Sequence, residues 1–187
     1  MKKVSVIAVV FAIVSLYAFK PLADKLVSKD GHISFFSHTA LEDITANNYK
    51  VVSTLDKTTG DVVFSVPMQS FEFEKALMQK HFNSNKFLDT KKHPKAKFTG
   101  KIGNLGDIDF SKDGTYTATV TGNLDIKGET KVLNEKATIS VEGEKVTLDS
   151  KMTIVLADYG ITFSGGKPST NIAKEVEVTV KSIYAKQ

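Results

Sequence analysis

The side chains with the widest chemical repertoire in this chain are its four histidines, His32, His38, His81 and His93. No two of them are three or four residues apart, so they lack the spacing that places two zinc ligands on one helix face. The chain has no cysteine, which excludes a thiolate nucleophile and a thiolate metal site. No Gly-x-Ser-x-Gly motif marks a serine nucleophile either. We therefore expect no metal and no cofactor.

The acidic residues fall mostly on the polar phase of sequence segments that alternate like β-strands, as expected for a solvated face. Carboxylates from different strands can still converge in space, as they do in glycoside hydrolases. A lipid-modifying enzyme therefore stays as one alternative. It would need two or more titratable groups with perturbed pKa values that point into a pocket. We expect no enzyme.

The formal net charge is +4, from 25 basic and 21 acidic residues, and every basic residue is a lysine. Most of the excess lies near the start of the chain, at Lys2, Lys3 and Lys20. Arginine is the residue that usually makes bidentate contacts with phosphates and bases. Its absence argues against nucleic acid as a partner.

A second group of lysines lies in the middle of the chain, at Lys91, Lys92, Lys95, Lys97 and Lys101. These charges could attract a phosphate headgroup or an anionic membrane surface. Strand alternation alone also places the last three on one outer face, and we favour that interpretation. A membrane surface therefore stays open as a transient partner. A second copy of the chain, in an oligomer, also stays open.

The N-terminus has the layout of a secretory signal, with Met1, Lys2 and Lys3 followed by an apolar run from Val4 to Phe19. The small-residue pattern after this run is poor, so both a cleaved signal peptide and a retained anchor fit residues 1–23. We expect an exported protein, periplasmic or otherwise extracytoplasmic, whose folded domain spans residues 24–187.

From residue 24 onward the chain reads mostly as antiparallel strands. Apolar and polar residues alternate with a period of two in about eight segments, which predicts strands with one buried and one solvated face. The segments are His32–Ser37, Tyr49–Asp56, Asp61–Val66, Lys95–Ile102, Tyr116–Ile126, Lys136–Glu142, Val146–Leu156 and Glu175–Tyr184. No connection between them is long enough, or helical enough, to form a parallel crossover. A closed barrel or a two-sheet sandwich would hide the apolar faces.

One stretch, Phe71–Phe98, departs from this alternation. Leu77, Met78, His81 and Phe82 share one face of a 3.6-residue period, which predicts a short amphipathic helix over residues 76–82. The stretch also contains five of the twelve phenylalanines. So many large rings need a shared apolar surface.

Two sequence blocks resemble the YceI-like family. The first combines His81-Phe82, Lys86–Asp89, His93-Pro94 and Phe98, and the second is the run Gly122–Lys131, which is similar to the family signature Gly-x-Leu-x-Ile-x-Gly-x-Thr-Lys. The resemblance implies an all-β fold, a single antiparallel eight-stranded lipocalin-like barrel with one short helix and an N-terminal signal segment. It also implies an apolar interior that holds an isoprenoid-type lipid.

On this basis we expect a hydrophobic small molecule or lipid as the partner, bound by residues of the strands and the helical stretch. The candidate ligand-binding residues are Phe36, Phe64, Phe71, Phe73, Leu77, Met78, His81, Phe82, Phe87, Phe98, Ile126, Met152 and Ile154. His81 is the first candidate for contact with a ligand headgroup. The alternative is a structural or stress-related envelope protein with a filled barrel and a protein partner, because small barrels can be filled completely by side chains.

Overall fold

The computed structural model describes residues 25–162 and 173–185, and the predicted signal segment over residues 1–23 lies outside this part. The described residues form nine β-strands, one α-helix and three short 3-10 turns. The strands are β1 (Lys25–His38), β2 (Asp43–Asp56), β3 (Asp61–Pro67), β4 (Glu72–Phe73), β5 (Lys95–Ile102), β6 (Gly114–Ile126), β7 (Glu129–Glu142), β8 (Lys145–Val155) and β9 (Glu175–Ala185). The helix α1 spans Ala76–Asn83.

The eight longer strands form a closed antiparallel barrel. Each pairs with its neighbour in sequence order, apart from the two-residue strand β4, and β1 pairs with both β9 and β2 to complete the circle. β4 pairs with β2 at Ala46 and Asn47. Closure satisfies the strand edges that an open sheet would leave exposed, and the predicted eight-stranded barrel is confirmed.

The up-and-down order gives the barrel two distinct ends. The segment between β3 and β5, which contains α1, lies at one end together with the β1–β2 and β6–β7 connections and the described part of the β8–β9 connection. We call this the helix end. The β2–β3, β5–β6 and β7–β8 connections lie at the opposite end, which we call the packed end because large side chains fill it.

The predicted tight turns form as expected. The β2–β3 turn ends at Gly60 with φ +75°, and the β6–β7 turn has Lys127 at φ 57° and Gly128 at φ +86°. Glycine adopts such positive φ values without a Cβ clash. Asp56 stabilises the first turn, because its Oδ1 accepts hydrogen bonds from the backbone N–H of Thr58 and Thr59, at 2.9 and 2.8 Å.

Three strands begin earlier than the alternation predicted. β1 begins at Lys25 instead of His32, β2 at Asp43 instead of Tyr49, and β7 at Glu129 instead of Lys136. In β1 the register with β2 shifts on both sides of Gly31. A bulge of this kind breaks the period of two, which explains why the first half of β1 did not read as a strand.

The connection between β3 and β5 is held by buried polar contacts. The Thr90 side chain is fully buried, and its Oγ1 donates to Asn83 Oδ1 at the end of α1 over 2.8 Å. The backbone N–H of Met68 donates to the carbonyl of Pro94 over 2.9 Å. These bonds fix α1 at the helix end of the barrel. Within the described residues, no helix is long and apolar enough to cross a membrane.

Candidate functional site: an apolar cavity inside the barrel

A cavity of about 690 Å³ occupies the half of the barrel nearest the helix end. Apolar side chains from all eight long strands and from the β3–β5 connection form most of its wall. Volumes of this size are typical of pockets that enclose a small ligand. The expectation of a hollow interior is therefore confirmed.

The packed end closes the cavity from below. Leu55, Ile102 and Ile139 are at most 2% exposed there, and a small polar network lies among such side chains. Ser53 Oγ donates to the Tyr184 hydroxyl over 3.0 Å and lies 2.5 Å from Ser182 Oγ. Burial raises the pKa of Tyr184, while the hydrogen bonds with Ser53 and Ser182 oppose this shift. The network satisfies polar groups in a region that water does not reach.

A cluster of phenylalanine rings borders the cavity at the helix end. Phe82 of α1 lies at its centre, with its ring centroid 5.0 Å from Phe73, 5.4 Å from Phe71 and 5.8 Å from Phe35. Ring pairs at these separations each contribute roughly 0.5–1.5 kcal/mol beyond the apolar area that they bury. The cluster anchors α1 to the barrel without filling the interior.

The second family block positions one further ring. Gly122 of β6 and Gly100 of β5 are directly paired, and Phe98 lies over both. A Cβ at Gly122 would be 2.4 Å from Gly100 Cα and 2.7 Å from Phe98 Cζ. Only glycine leaves room for this close approach, so the Gly122–Lys131 signature has a packing role at the cavity wall.

Most of the predicted binding residues line the cavity. The eleven that do so are Phe64, Phe71, Phe73, Met78, His81, Phe82, Phe87, Phe98, Ile126, Met152 and Ile154. The structure brings these side chains together around one space. Their contact with a ligand stays a prediction.

The structure corrects the prediction for the other two residues. The side chains of Phe36 and Leu77 are 41% and 57% exposed and do not line the cavity. Successive residues of a strand point to opposite faces, so Phe35 points inward with Ile33 and Phe36 points outward. On α1, Phe82 and Met78 share the inner face as an i, i+4 pair, and Leu77 is turned to solvent.

Sequence reasoning missed several lining residues, among them Phe35, Leu133, Glu135 and Ser150. The period of two from Ile33 would have identified Phe35. Glu135 shares the inward phase of β7 with Leu133 and Ala137, but β7 was not predicted to extend this far. Its carboxylate is therefore an exception to the expected outward placement of acids.

Charged groups also border the cavity at the helix end, where Glu42, Lys80, His81 and Lys86 contribute to its wall. Glu42 forms an ion pair with Lys75, and Lys75 Nζ donates a hydrogen bond to Glu42 Oε1. This hydrogen bond is the main reason why the pKa of Lys75 is raised. His81 is exposed on α1 and contributes to the cavity wall, and its contact with a ligand headgroup stays a prediction.

Two other histidines, His32 and His38, each lie beside a polar side chain. His32 Nε2 lies 2.9 Å from Asn47 Oδ1, and His38 Nδ1 lies 2.5 Å from Asp43 Oδ1. Within residues 25–162 and 173–185, no group of three or more histidine or acidic side chains could hold a metal ion. The five lysines between positions 91 and 101 are all exposed, and Lys95, Lys97 and Lys101 lie on the outer face of β5, where the strand interpretation places them.

The fold is a lipocalin-like barrel, because it has eight antiparallel strands in a closed circle and an apolar cavity at one end. The YceI-like domain matches residues 25–183. The chain belongs to the YceI-like family.

Curated relatives named UPF0312 protein match part of the chain, and two of them illustrate the similarity. The one from Pseudomonas putida (strain W619) is 33% identical over 113 residues, covering 57% of this chain and 54% of the relative. The one from Pseudomonas fluorescens (strain SBW25) is 30% identical over 134 residues, covering 68% and 65%. The chain therefore spans about half to two thirds of the length of these curated relatives.

Solved structures share the fold at low sequence identity. A polyisoprenoid binding domain from Saccharophagus degradans, implicated in plant cell wall breakdown, has a TM-score of 0.73 at 12% identity and covers 88% of this chain and 99% of its own. BcnA from Burkholderia cenocepacia has a TM-score of 0.68 at 19% identity, with coverages of 82% and 95%. These likenesses establish the architecture.

Proposed function

We propose that this protein holds a long apolar chain inside the barrel, for carriage or sequestration of a polyisoprenoid, an isoprenoid quinone or a similar amphiphile. The observation that carries the proposal is the cavity of about 690 Å³ lined mainly by apolar side chains. The polyisoprenoid binding domain with the same fold supports the choice of ligand class.

The cavity volume limits how much of a chain can be enclosed. If each carbon with its hydrogens takes the ~30 Å³ that a water molecule occupies in the liquid, 690 Å³ holds on the order of twenty carbons. This corresponds to about four isoprene units. A longer chain would leave part of its length outside the barrel.

Burial of such a chain provides a favourable free energy of binding. Each CH₂ removed from water contributes about 0.8 kcal/mol, so roughly twenty carbons give about 16 kcal/mol before the cost of association, which is ~4–15 kcal/mol. Binding needs no catalytic step, and we propose that the protein is not an enzyme. The cavity counts against the alternative of a filled barrel with a purely structural role.

We propose a site of action on the basis of the N-terminal residues. The positive start and apolar run within residues 1–23 support export to the periplasm or another extracytoplasmic space. The exposed lysines from Lys91 to Lys101 would favour transient contact with an anionic membrane, from which a lipid can be collected. Cosedimentation with anionic and neutral vesicles at low and high salt would measure this contact.

Titration with retinol, a fluorescent isoprenoid alcohol of twenty carbons, tests the proposal. We expect saturable binding at one site per chain, with increased retinol fluorescence that geranylgeraniol reverses by competition. Fluorescence that rises linearly without saturation, or that geranylgeraniol does not reduce, would show that the barrel encloses no isoprenoid chain.

A further inference from the structure

The barrel wall has an opening between β7 and β8. Their pairing extends only from Ala137 opposite Ser150 to Glu142 opposite Lys145. β7 nevertheless continues back to Glu129 and stays paired with β6, and β8 continues to Val155 and stays paired with β9. Two strand edges therefore face each other without a ladder over residues 129–136 and 151–155.

Side-chain contacts mark both limits of this opening. At its lower limit, Ser150 Oγ donates to the carbonyl of Lys136 over 2.9 Å, where the two strands part. Towards the helix end, Lys127 Nζ donates to the carbonyl of Gly160 over 2.8 Å. The five residues of β8 that lack a partner on β7 span about 16 Å at ~3.3 Å per residue, and the 3-10 turn Leu156–Tyr159 that follows β8 also contacts β7. An opening of this length can admit the polar end of a lipid.

Glu135 places a carboxylate at this opening. Its side chain is partly buried and lines the cavity, and the residue paired with it on β6 is the buried Val120. Among the described residues, Glu135 has no hydrogen-bond or ion-pair partner, whereas Glu42, the other acid of the cavity wall, is paired with Lys75. A carboxylate beside apolar surface gains most from a ligand group that donates a hydrogen bond.

We infer that the polar end of the ligand lies in the β7–β8 opening and is a hydrogen-bond donor, an alcohol or an amine, that binds the Glu135 carboxylate. An anionic headgroup would meet a like charge there and is disfavoured. The inference rests on the proposed function, since it concerns the polar end of the chain that the cavity holds.

The first experiment compares lipids with one tail and different polar ends. Geranylgeraniol, geranylgeranylamine and geranylgeranyl phosphate each compete with retinol for the full chain. We expect the alcohol and the amine to bind at least tenfold more tightly than the phosphate. Glu135→Gln should weaken the binding of geranylgeranylamine at least tenfold and strengthen the binding of geranylgeranyl phosphate. The control Glu142→Gln removes the same charge from the far end of β7 and should change neither affinity.

The results separate the inference from the proposed function. Tightest binding of the phosphate, or unchanged preferences in Glu135→Gln, would overturn the inference while the tail still binds. Failure of all three lipids and of retinol would instead overturn the proposed function.

The second experiment closes the opening covalently. Because the chain has no cysteine, Asn134→Cys with Thr153→Cys introduces two thiols on the outer faces of the two unpaired edges. Crosslinking with a bifunctional maleimide should slow retinol release at least tenfold. The control pair, Thr138→Cys with Asp149→Cys, lies in the paired part of β7 and β8 and should leave release unchanged. An unchanged rate of retinol release from the crosslinked protein would overturn the inference that the polar end of the ligand lies in the β7–β8 opening.

Discussion

Substitution of one small residue of the cavity wall should weaken long chains selectively. Ala137 on β7 lines the cavity and is 5% exposed, and Ala137→Leu adds three carbons to the interior. These displace about three carbons of any chain that fills the space. At about 0.8 kcal/mol per CH₂ the loss is about 2.4 kcal/mol, or roughly 60-fold in dissociation constant.

Chain length provides an internal control for this prediction. Geraniol has half the carbons of geranylgeraniol and leaves room in the cavity, so Ala137→Leu should change its affinity little. Competition against retinol measures both alcohols. Ala40→Leu makes the same change at an exposed position between β1 and β2 and should affect neither ligand. Equal weakening of both alcohols by Ala137→Leu, or no weakening of geranylgeraniol, would refute the idea that the chain fills the cavity.

Three further variants test the framework around the cavity by urea denaturation. Gly122→Ala should lower the free energy of unfolding by about 1–3 kcal/mol, because its Cβ would clash with the β5 backbone; an unchanged value would contradict this packing role. Tyr184→Phe should cost about 1–2 kcal/mol, since Ser53 loses a buried partner, but should leave retinol affinity unchanged, because Tyr184 lies below the cavity. Asp56→Ala should cost about 1 kcal/mol at pH 7. Hydrogen bonds from Thr59 and Thr58 lower the pKa of Asp56 in the folded protein. The ionised Asp56 carboxylate therefore stabilises the folded state above the unfolded-state pKa, and this contribution is lost as the pH falls through the folded-state pKa. The difference in the free energy of unfolding between wild type and Asp56→Ala should therefore shrink as the pH is lowered. A difference that stays constant with pH would contradict the stabilising role of the Asp56 carboxylate.

Local patterns predicted most of the barrel. The period of two identified β6, whose inward residues Ala118 and Val120 are buried, and the glycine turns connected the strands as expected. The helix was predicted from its 3.6-residue period. Such features depend on residues close in sequence, and for this reason they can be read without coordinates.

Features that depend on several strands could not be predicted in this way. The two adjacent rings Phe35 and Phe36 obscured the phase of β1 that Ile33 indicates, and pairing with β2 and β9 places Phe35 inside. The hollow volume depends on the register of all eight strands. The point at which β7 and β8 separate, and with it the position of Glu135, depends on tertiary pairing.

Mass spectrometry of the lipid that copurifies with the protein tests the central claim most directly. The full chain is purified without added lipid, extracted with organic solvent and compared with Ala137→Leu prepared in the same way. We predict one class of long-chain lipid in near-stoichiometric amount, and clearly less of it from the variant. Repeated absence of lipid, or equal recovery from both proteins, would contradict a chain held inside the barrel.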